Sequence, residues 1–207
     1  MEFLDTNHRI IIKKSFVKNA RITLKSPGEI HVSVPYFYTQ ANISDLLVTH
    51  RSWIEKHLAM LVKNNLETKN ILDQHIGEIL IFGFWEKIDK KPIKSHLKKT
   101  LLEYLNITVN EKAKQMGVEY KQISVRENKS RLGSCSYENN LGFSLALICA
   151  PKELIDYVII HELAHIRYKD HSKSFWQYVS EYCPMWKQKR ATLKKNVNLY
   201  LNLLDSL

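Results

Sequence analysis

The chain has 207 residues, of which 44% are hydrophobic and 25% charged, a balance typical of a soluble globular protein and not of a disordered one. Its 31 Lys and Arg against 21 Asp and Glu give a formal charge of +10, which favours a polyanionic partner such as nucleic acid, a nucleotide or an acidic protein. No run of about 18 apolar residues is present, which excludes a membrane-spanning helix.

The remaining global features predict a cytoplasmic protein. The start of the chain lacks a basic segment followed by a long apolar core, so no secretory signal is expected. The cysteines are odd in number and widely spaced, at Cys135, Cys149 and Cys183, which fits reduced thiols. The lysines are spread along the chain and no motif that reads RNA or DNA is visible, so nucleic-acid binding is only an alternative.

The first part of the chain is predicted to form strands over residues 9–12, 21–25 and 30–34. The last two alternate apolar and polar side chains around a Pro27–Gly28 turn, which is a hairpin signature. Pro35 ends the last strand, because proline has no N–H to donate within a sheet. Nothing in these strands indicates catalysis.

A helical period comes next over residues 41–63, with His50 and His57 on or beside its apolar stripe. These histidines lie seven residues apart and no acid accompanies them at ligand spacing, so we interpret both as structural. The polar residues 64–77 then predict a loop, and the apolar residues 78–85 predict a short strand. This strand is expected to pair with the N-terminal hairpin or with residues 87–88.

Several lysines surround Pro92 and predict a solvated linker: Lys87, Lys90, Lys91 and Lys94. We therefore place a domain boundary at this proline. Residues 1–92 are expected to be a β-rich and helical region packed on the core, and residues 93–207 a metal-binding catalytic region. A single continuous domain over residues 1–207 is the alternative.

The second region begins with a long predicted helix over residues 95–117, which Gly117 ends. Residues 121–126 and 141–148 are predicted strands, joined by a polar stretch too long for a tight hairpin. Pro151 then suits the first turn of another helix. After that helix, residues 172–182 and 187–204 predict two more.

The helix after Pro151 carries the sequence His161-Glu162-Leu163-Ala164-His165 within a strongly apolar run. Residues four apart lie on one helical face, so His161 and His165 can direct two imidazoles at one metal ion. Glu162 is rotated by about 100° and can reach past the ion. Two neutral nitrogens and a nearby carboxylate suit a zinc ion that activates water, with Glu162 as the base.

A catalytic zinc normally takes three protein ligands and leaves one position for water. The candidates for the third ligand are His171, where the chain can turn back after the helix, Glu181 in the next predicted helix, and Asp170. We favour His171, because three histidines form a known catalytic ligand set. The aromatic residues beyond it are predicted to be core: Phe175, Trp176, Tyr182 and Trp186.

A second distinctive block, Arg126-Glu127-Asn128-Lys129-Ser130-Arg131-Leu132-Gly133-Ser134-Cys135, precedes the motif. It resembles the Arg-x-x-x-x-Arg-Trp-Gly-Ser-Cys segment of the YgjP-like metallopeptidase-type proteins, with Leu132 where that family usually has tryptophan. The metal motif also matches the family in order and spacing, as do His171-Ser172, Phe175-Trp176 and Cys183-Pro184-x-Trp186. The resemblance covers most of the chain.

The resemblance implies an α+β fold with a minimal, SprT-like zincin core. In such a core the motif helix lies under a small sheet, here with an N-terminal β-hairpin and helix region added. It implies a zinc ion on His161, His165 and His171 and a hydrolase-type site, without naming a substrate.

Arg126 and Arg131 are candidate substrate-binding residues, since arginine holds a carboxylate or phosphate in bidentate fashion. The alternative is that they form structural ion pairs with nearby acids, such as Glu127, Glu138 or Asp156.

The sequence therefore predicts a zinc metallopeptidase that acts on peptide or protein substrates, with Glu162 as general base and no membrane partner. Two alternatives remain open. One is a metal-dependent nucleotide hydrolase that cleaves a phosphoanhydride, which the +10 charge and the two arginines favour. The other is a nucleic-acid- or protein-binding module with structural zinc, whose ion would be closed by four protein ligands. The oligomeric state is not predicted.

Overall fold

A computed structural model of the chain describes residues 8–26, 28–88, 93–128 and 131–207. Contacts group the chain into two compact units, Met1–Ile71 and Leu72–Leu207. Helices and strands occur in both, which confirms the predicted α+β class. None of the helices described is long and apolar enough to cross a membrane.

The first unit contains a three-stranded sheet of β1 (Arg9–Ser15), β2 (Arg21–Ser26) and β3 (Glu29–Pro35). Its order is β1-β3-β2, with β2 antiparallel and β1 parallel to β3. The three predicted strands and the hairpin are thus confirmed, while Pro27 of the predicted turn lies outside the described residues. Every second residue of β3 is fully buried, at Ile30, Val32 and Val34, because strand side chains alternate between the two faces.

Two helices complete this part of the chain, α1 (Gln40–Thr49) and α2 (Arg51–Gln74). The predicted helix over residues 41–63 is interrupted at His50, the C-cap of α1. The predicted loop over residues 64–77 is wrong as far as Gln74. Residues 64–74 contain neither glycine nor proline, so nothing stops the helix. Leu72 is the first residue of the second unit and packs against the apolar core of that unit.

The second unit opens with a hairpin of β4 (Glu78–Ile81) and β5 (Phe84–Lys87). The single strand predicted over residues 78–85 is therefore wrong. The chain reverses at Phe82 and Gly83, whose φ angles are 53° and 90°, values that suit a tight hairpin turn.

This hairpin belongs with the second unit, since Ile79 and Leu80 are buried in the core of that unit. Our predicted division had placed it with the N-terminal region. The short apolar sequence of residues 78–85 does not indicate which core these residues join. Pro92, the predicted boundary residue, lies outside the described residues.

A long helix and a second three-stranded sheet come next: α3 (Ile93–Met116), β6 (Ile123–Arg126), β7 (Gly133–Cys135) and β8 (Leu141–Ser144). The helix and its stop at Gly117, with φ of 61°, are as predicted. The sheet order is β6-β8-β7, with β6 parallel and β7 antiparallel to β8. Strand β7 therefore lies at one edge of this sheet.

The strand predicted over residues 141–148 ends early, at Ser144. The next five residues form a 3₁₀ helix, Leu145–Cys149. All of them are buried, so their apolar run carries no periodicity that separates a strand from a helix. The Ser144 hydroxyl accepts from the Ala146 N–H at 3.3 Å and starts the turn.

Three helices end the chain: α4 (Lys152–Arg167), α5 (Lys173–Tyr182) and α6 (Trp186–Asp205). Helix α4 is the central one, and it packs against α3, α5, α6 and β7. Its Ile155, Ile159 and Leu163 are fully buried, as expected for a helix apolar on most sides. The motif helix is therefore held on several sides, with β7 next to it.

Candidate metal centre

Helix α4 presents His161 and His165 on one face, one turn apart, as their spacing predicts. Both side chains are partly buried. Nδ1 of His165 lies 3.0 Å from the backbone oxygen of Tyr168. A hydrogen bond to that oxygen places the proton on Nδ1, which leaves the Nε2 lone pair of His165 free for a metal.

His171 reaches the same place because the chain turns back at the end of α4. Tyr168, the C-cap, has an extended backbone with φ −127° and ψ 107°, and Ser172 then caps α5. Nε2 of His171 lies 3.1 Å from Nε2 of His161. One ligand atom from each of His161, His165 and His171 lies within 4.8 Å of the other two.

These three side chains fit a zinc ion. Two nitrogens bound to one tetrahedral zinc lie about 3.3 Å apart, which is close to the separation of the two Nε2 atoms. Burial lowers the pKa of His161 to about 3, and the neighbouring His165 and His171 contribute to this lowering. Burial also lowers the pKa of His165. Both rings are therefore neutral at neutral pH, and a neutral ring nitrogen is what a metal ion requires.

The other candidates for the third ligand are not part of this cluster. Within the described part of the chain, the group that can hold a metal here consists of the three histidines, without Glu181 or Asp170. Asp170 has a local role, since its carboxylate accepts from the backbone N–H of Ser172 at 3.3 Å.

Aromatic rings from α5 hold the histidine rings in place. Phe175 is fully buried and its ring centroid lies 4.5–5.0 Å from those of His161, His165 and His171. Trp176 stacks on His171, and on Trp186 with a centroid distance of 4.1 Å. These residues are core, as the sequence predicted, and they form the part of the core directly behind the three histidines.

Such packing matters most for His161. Nδ1 of His161 is buried and has no hydrogen-bond partner among the described residues, so ring contacts take the place of the usual second hydrogen bond of a metal-binding histidine.

Glu162 lies beside the histidines and is only 5% exposed. Burial raises the pKa of its carboxyl group to about 8, and the nearby positive charge of Arg131 opposes this effect. The backbone of β7 packs against this side chain at Gly133. A Cβ atom at residue 133 would lie 2.7 Å from Cγ and 2.8 Å from Cδ of Glu162. Only glycine lets the edge strand approach the carboxylate this closely.

The cluster opens into a cleft of about 320 Å³. Its lining beyond the histidines and Glu162 comes from β7, from the residues next to β7 and from the end of α4: Arg131, Gly133, Ser134, Cys135, Tyr137 and Lys169. The sequence block around Gly133 and the metal motif thus meet in one place.

The two candidate arginines separate in the structure. Arg131 lines the metal cleft, whereas Arg126 lines a different pocket together with Lys94 and Lys98. Within the described part of the chain, neither arginine pairs with the acids suggested as structural partners. Glu127 pairs with Lys94, Glu138 pairs with Lys121, and Asp156 accepts from the Tyr104 hydroxyl.

Sequence reasoning missed two residues at this site. Lys169 was not predicted as a site residue, because a single lysine after a helix has no distinctive sequence pattern. Gly133 was seen only as part of a block, and its contact with Glu162 depends on how β7 packs on α4.

A family model described as YgjP-like, metallopeptidase domain, matches residues 85–196. Among solved structures, the chain is similar to the metallopeptidase zymogen abylysin of Pyrococcus abyssi, with 22% identity over 44% of this chain and 93% of that chain, and a TM-score of 0.41. No curated protein matches the chain.

Proposed function

The chain belongs to the YgjP-like metallopeptidase family, and from this premise we propose that it hydrolyses peptide bonds with a zinc ion held by His161, His165 and His171. The observation that carries the proposal is the buried Glu162 beside three clustered imidazoles. When bound there, zinc supplies Lewis-acid polarisation of the scissile carbonyl and makes a bound water more acidic.

Glu162 acts as the general base. Its burial makes the carboxylate more basic than an exposed one, and a base with a pKa near the working pH accepts and returns protons efficiently. Glu162 accepts the proton of the attacking water and then transfers it to the departing amine. Because Gly133 has no side chain, it leaves space for the carboxylate of Glu162.

Strand β7 supports a peptide as the substrate. Among the described residues, the strand lies at the sheet edge and pairs with β8 on one side only. An extended peptide can add to such an edge through backbone hydrogen bonds, independently of its sequence. The same strand borders the metal cleft, so a peptide paired to it passes over the histidines.

The ligand count supports a catalytic ion over a structural one. Three histidines form the cluster in the described part of the chain, and a structural zinc site is normally closed by four protein ligands. The cleft beside them leaves access for water and substrate.

Hydrolysis assays on the purified protein test this proposal. Zinc-loaded protein is incubated with a peptide mixture and, separately, with nucleoside triphosphates, each with and without a chelator. We expect chelator-sensitive cleavage of peptides and none of the nucleotides. Cleavage of the nucleotides alone would favour the phosphoanhydride alternative.

The variant Glu162→Gln is the matched control for these assays. It should keep stoichiometric zinc and lose turnover by about 10²- to 10⁴-fold, the usual contribution of a general base. Unchanged turnover in this variant would remove Glu162 from the mechanism.

A further inference from the structure

We propose that the preferred substrates are acidic peptides, with one acidic side chain on each side of the scissile bond, bound by Arg131 at one end of β7 and by Lys169 at the other. This inference rests on the proposed peptidase function. It adds a substrate class and assigns a role to Lys169.

Arg131 lies two residues before Gly133, the first residue of β7, and lines the metal cleft. The side chain is exposed. No hydrogen bond or ion pair holds its guanidinium within the described residues. Arg131 and Glu162 line the same cleft. An unpaired guanidinium in this position is suited to a carboxylate, which it can bind through two parallel hydrogen bonds.

Lys169 approaches the other end of β7. Its ammonium group donates to the backbone oxygen of Ser136 at 3.3 Å and to Oδ1 of Asn139 at 3.1 Å. It also lies 5.9 Å from the centre of the exposed Tyr137 ring. These contacts fix the cation next to the residue that comes after β7, yet all of them are neutral. Lys169 also lines the metal cleft.

The charge balance of the cleft favours an anionic ligand. Among the described lining residues, Arg131 and Lys169 are the two fixed cations and Glu162 is the one acid, and it is buried. A peptide paired to β7 would pass the two cations in turn. Acidic side chains would be attracted at both ends, and basic side chains would be repelled.

Binding is measured first, so that the result does not depend on cleavage. Zinc-loaded Glu162→Gln protein is titrated into three fluorescent peptides of one sequence. These carry Glu, Gln or Lys on both sides of the central bond. We expect the order Glu, Gln, Lys from tightest to weakest, and smaller differences at high salt because salt screens exposed charges. Equal affinities for the three peptides would overturn the proposal.

Variants assign the preference to the two cations. Arg131→Ala and Lys169→Ala should each weaken binding of the Glu peptide by about two- to fivefold, the upper part of the range for exposed charge pairs. They should leave the Gln peptide nearly unchanged. Arg126→Ala and Lys99→Ala are matched controls, since Arg126 lines another pocket and Lys99 is an exposed lysine of α3. Equal loss with the control variants would contradict the assignment.

Charge reversal gives the sharpest test. Two peptides carry Glu on one side of the central bond and Lys on the other, in opposite order. One of the two should bind Arg131→Glu more tightly than it binds the wild type. Metal content is measured throughout, and it should stay stoichiometric. If Arg131→Glu and Lys169→Glu keep the preference for Glu on both sides, the proposal is wrong.

Cleavage by the wild-type enzyme separates this inference from the proposed function. Cleavage of all three peptides at equal kcat/KM contradicts the charge preference and leaves the peptidase function intact. Absence of cleavage in every peptide contradicts the peptidase function. In that case the binding order alone decides whether the two cations select acidic ligands.

Discussion

The two three-stranded sheets share one topology, but the helices connected to them differ. In each sheet, the first strand runs parallel to the third, and the second strand pairs antiparallel with the third on its other side. The first sheet leads into α1 and α2, and the second leads into the 3₁₀ helix and α4. Within the described residues, a cluster that could hold a metal ion occurs after the second sheet alone.

Histidines come after both sheets, so their number does not explain the difference. In α2, His57 directs Nδ1 to the backbone oxygen of Trp53 at 2.7 Å and its ring stacks on Trp53. His50 is exposed at the end of α1. In α4 the spacing of four residues places two rings on one face, and the turn after α4 adds a third. The same backbone topology therefore supports a site only where the side chains converge.

Removal of the third ligand should give the largest effect. His171→Ala should lower zinc affinity more than about 100-fold, because loss of a ligand exceeds the usual cost of losing a supporting contact. Zinc content by metal analysis should fall to near that of His161→Ala, and peptide cleavage should fall with it. His57→Ala is the control from the first unit and should keep full zinc. Stoichiometric zinc in His171→Ala would shift the assignment to Glu181.

A methyl group at Gly133 should be the next most damaging change. In Gly133→Ala the new Cβ would collide with the Glu162 side chain, which costs about 1–3 kcal/mol of stability by overpacking and displaces the proposed general base. We expect cleavage to fall more than about tenfold. The comparison is Gly28→Ala beside the first sheet, where no atom lies within 4 Å of the new Cβ. Equal effects of the two changes on cleavage would show that the contact between β7 and Glu162 is unimportant.

Glu162 should reduce the stability of the metal-free protein. Burial raises its pKa from 4.5 to about 8, so the folded state holds a proton that the unfolded state releases. The contribution of Glu162 to the free energy of unfolding is therefore most favourable below pH 4.5 and is lost as the pH rises through 8. The free energy of unfolding of metal-free Glu162→Gln should exceed that of the wild type by about 2–4 kcal/mol at pH 8, and by much less at pH 5.

Urea unfolding across this pH range measures the difference. His161 acts in the opposite direction, since its lowered pKa removes stability as the pH falls below 6.5, but it is present in both proteins and cancels. Glu55→Gln on α2 is the control. Glu55 is about half exposed and pairs with Arg51, and its effect should stay within about 0.5 kcal/mol. A gain for Glu162→Gln that does not depend on pH would contradict this account.

The parts that the sequence predicted well depend on local rules. The spacing of His161 and His165, the turn back to His171 and the helix stop at Gly117 each depend on a few neighbouring residues. The parts that it missed depend on packing between distant residues. Residues 145–148 were predicted as part of a strand because they are apolar and buried, and β7 is too short to show any alternation.

The same limit applies to the site. Arg126 and Arg131 look alike in one block, yet only Arg131 lines the metal cleft. Parallel pairing of β6 with β8 and antiparallel pairing of β7 with β8 carry the two arginines to different places. Lys169 gains its position from the loop after β7, more than 25 residues earlier in the chain. No local pattern contains that information.

The smallest difference is expected from the N-cap residues of α1 and α5. The Thr39 hydroxyl accepts from the Asn42 N–H at 3.2 Å and begins α1, and Ser172 accepts from the Phe175 N–H at 3.4 Å and begins α5. Replacement of either by alanine should cost about 1 kcal/mol of stability. Only Ser172 comes directly after a proposed ligand, and its cap also orients Phe175 behind the three rings.

Ser172→Ala should therefore weaken zinc binding by about two- to fivefold, while Thr39→Ala leaves it unchanged. A competition titration with a chelating dye measures both affinities, and urea unfolding confirms that the two proteins lose similar stability. If both variants bind zinc as the wild type does, the cap of α5 stabilises the helix without positioning His171. The turn after Tyr168 would then hold this ligand by itself.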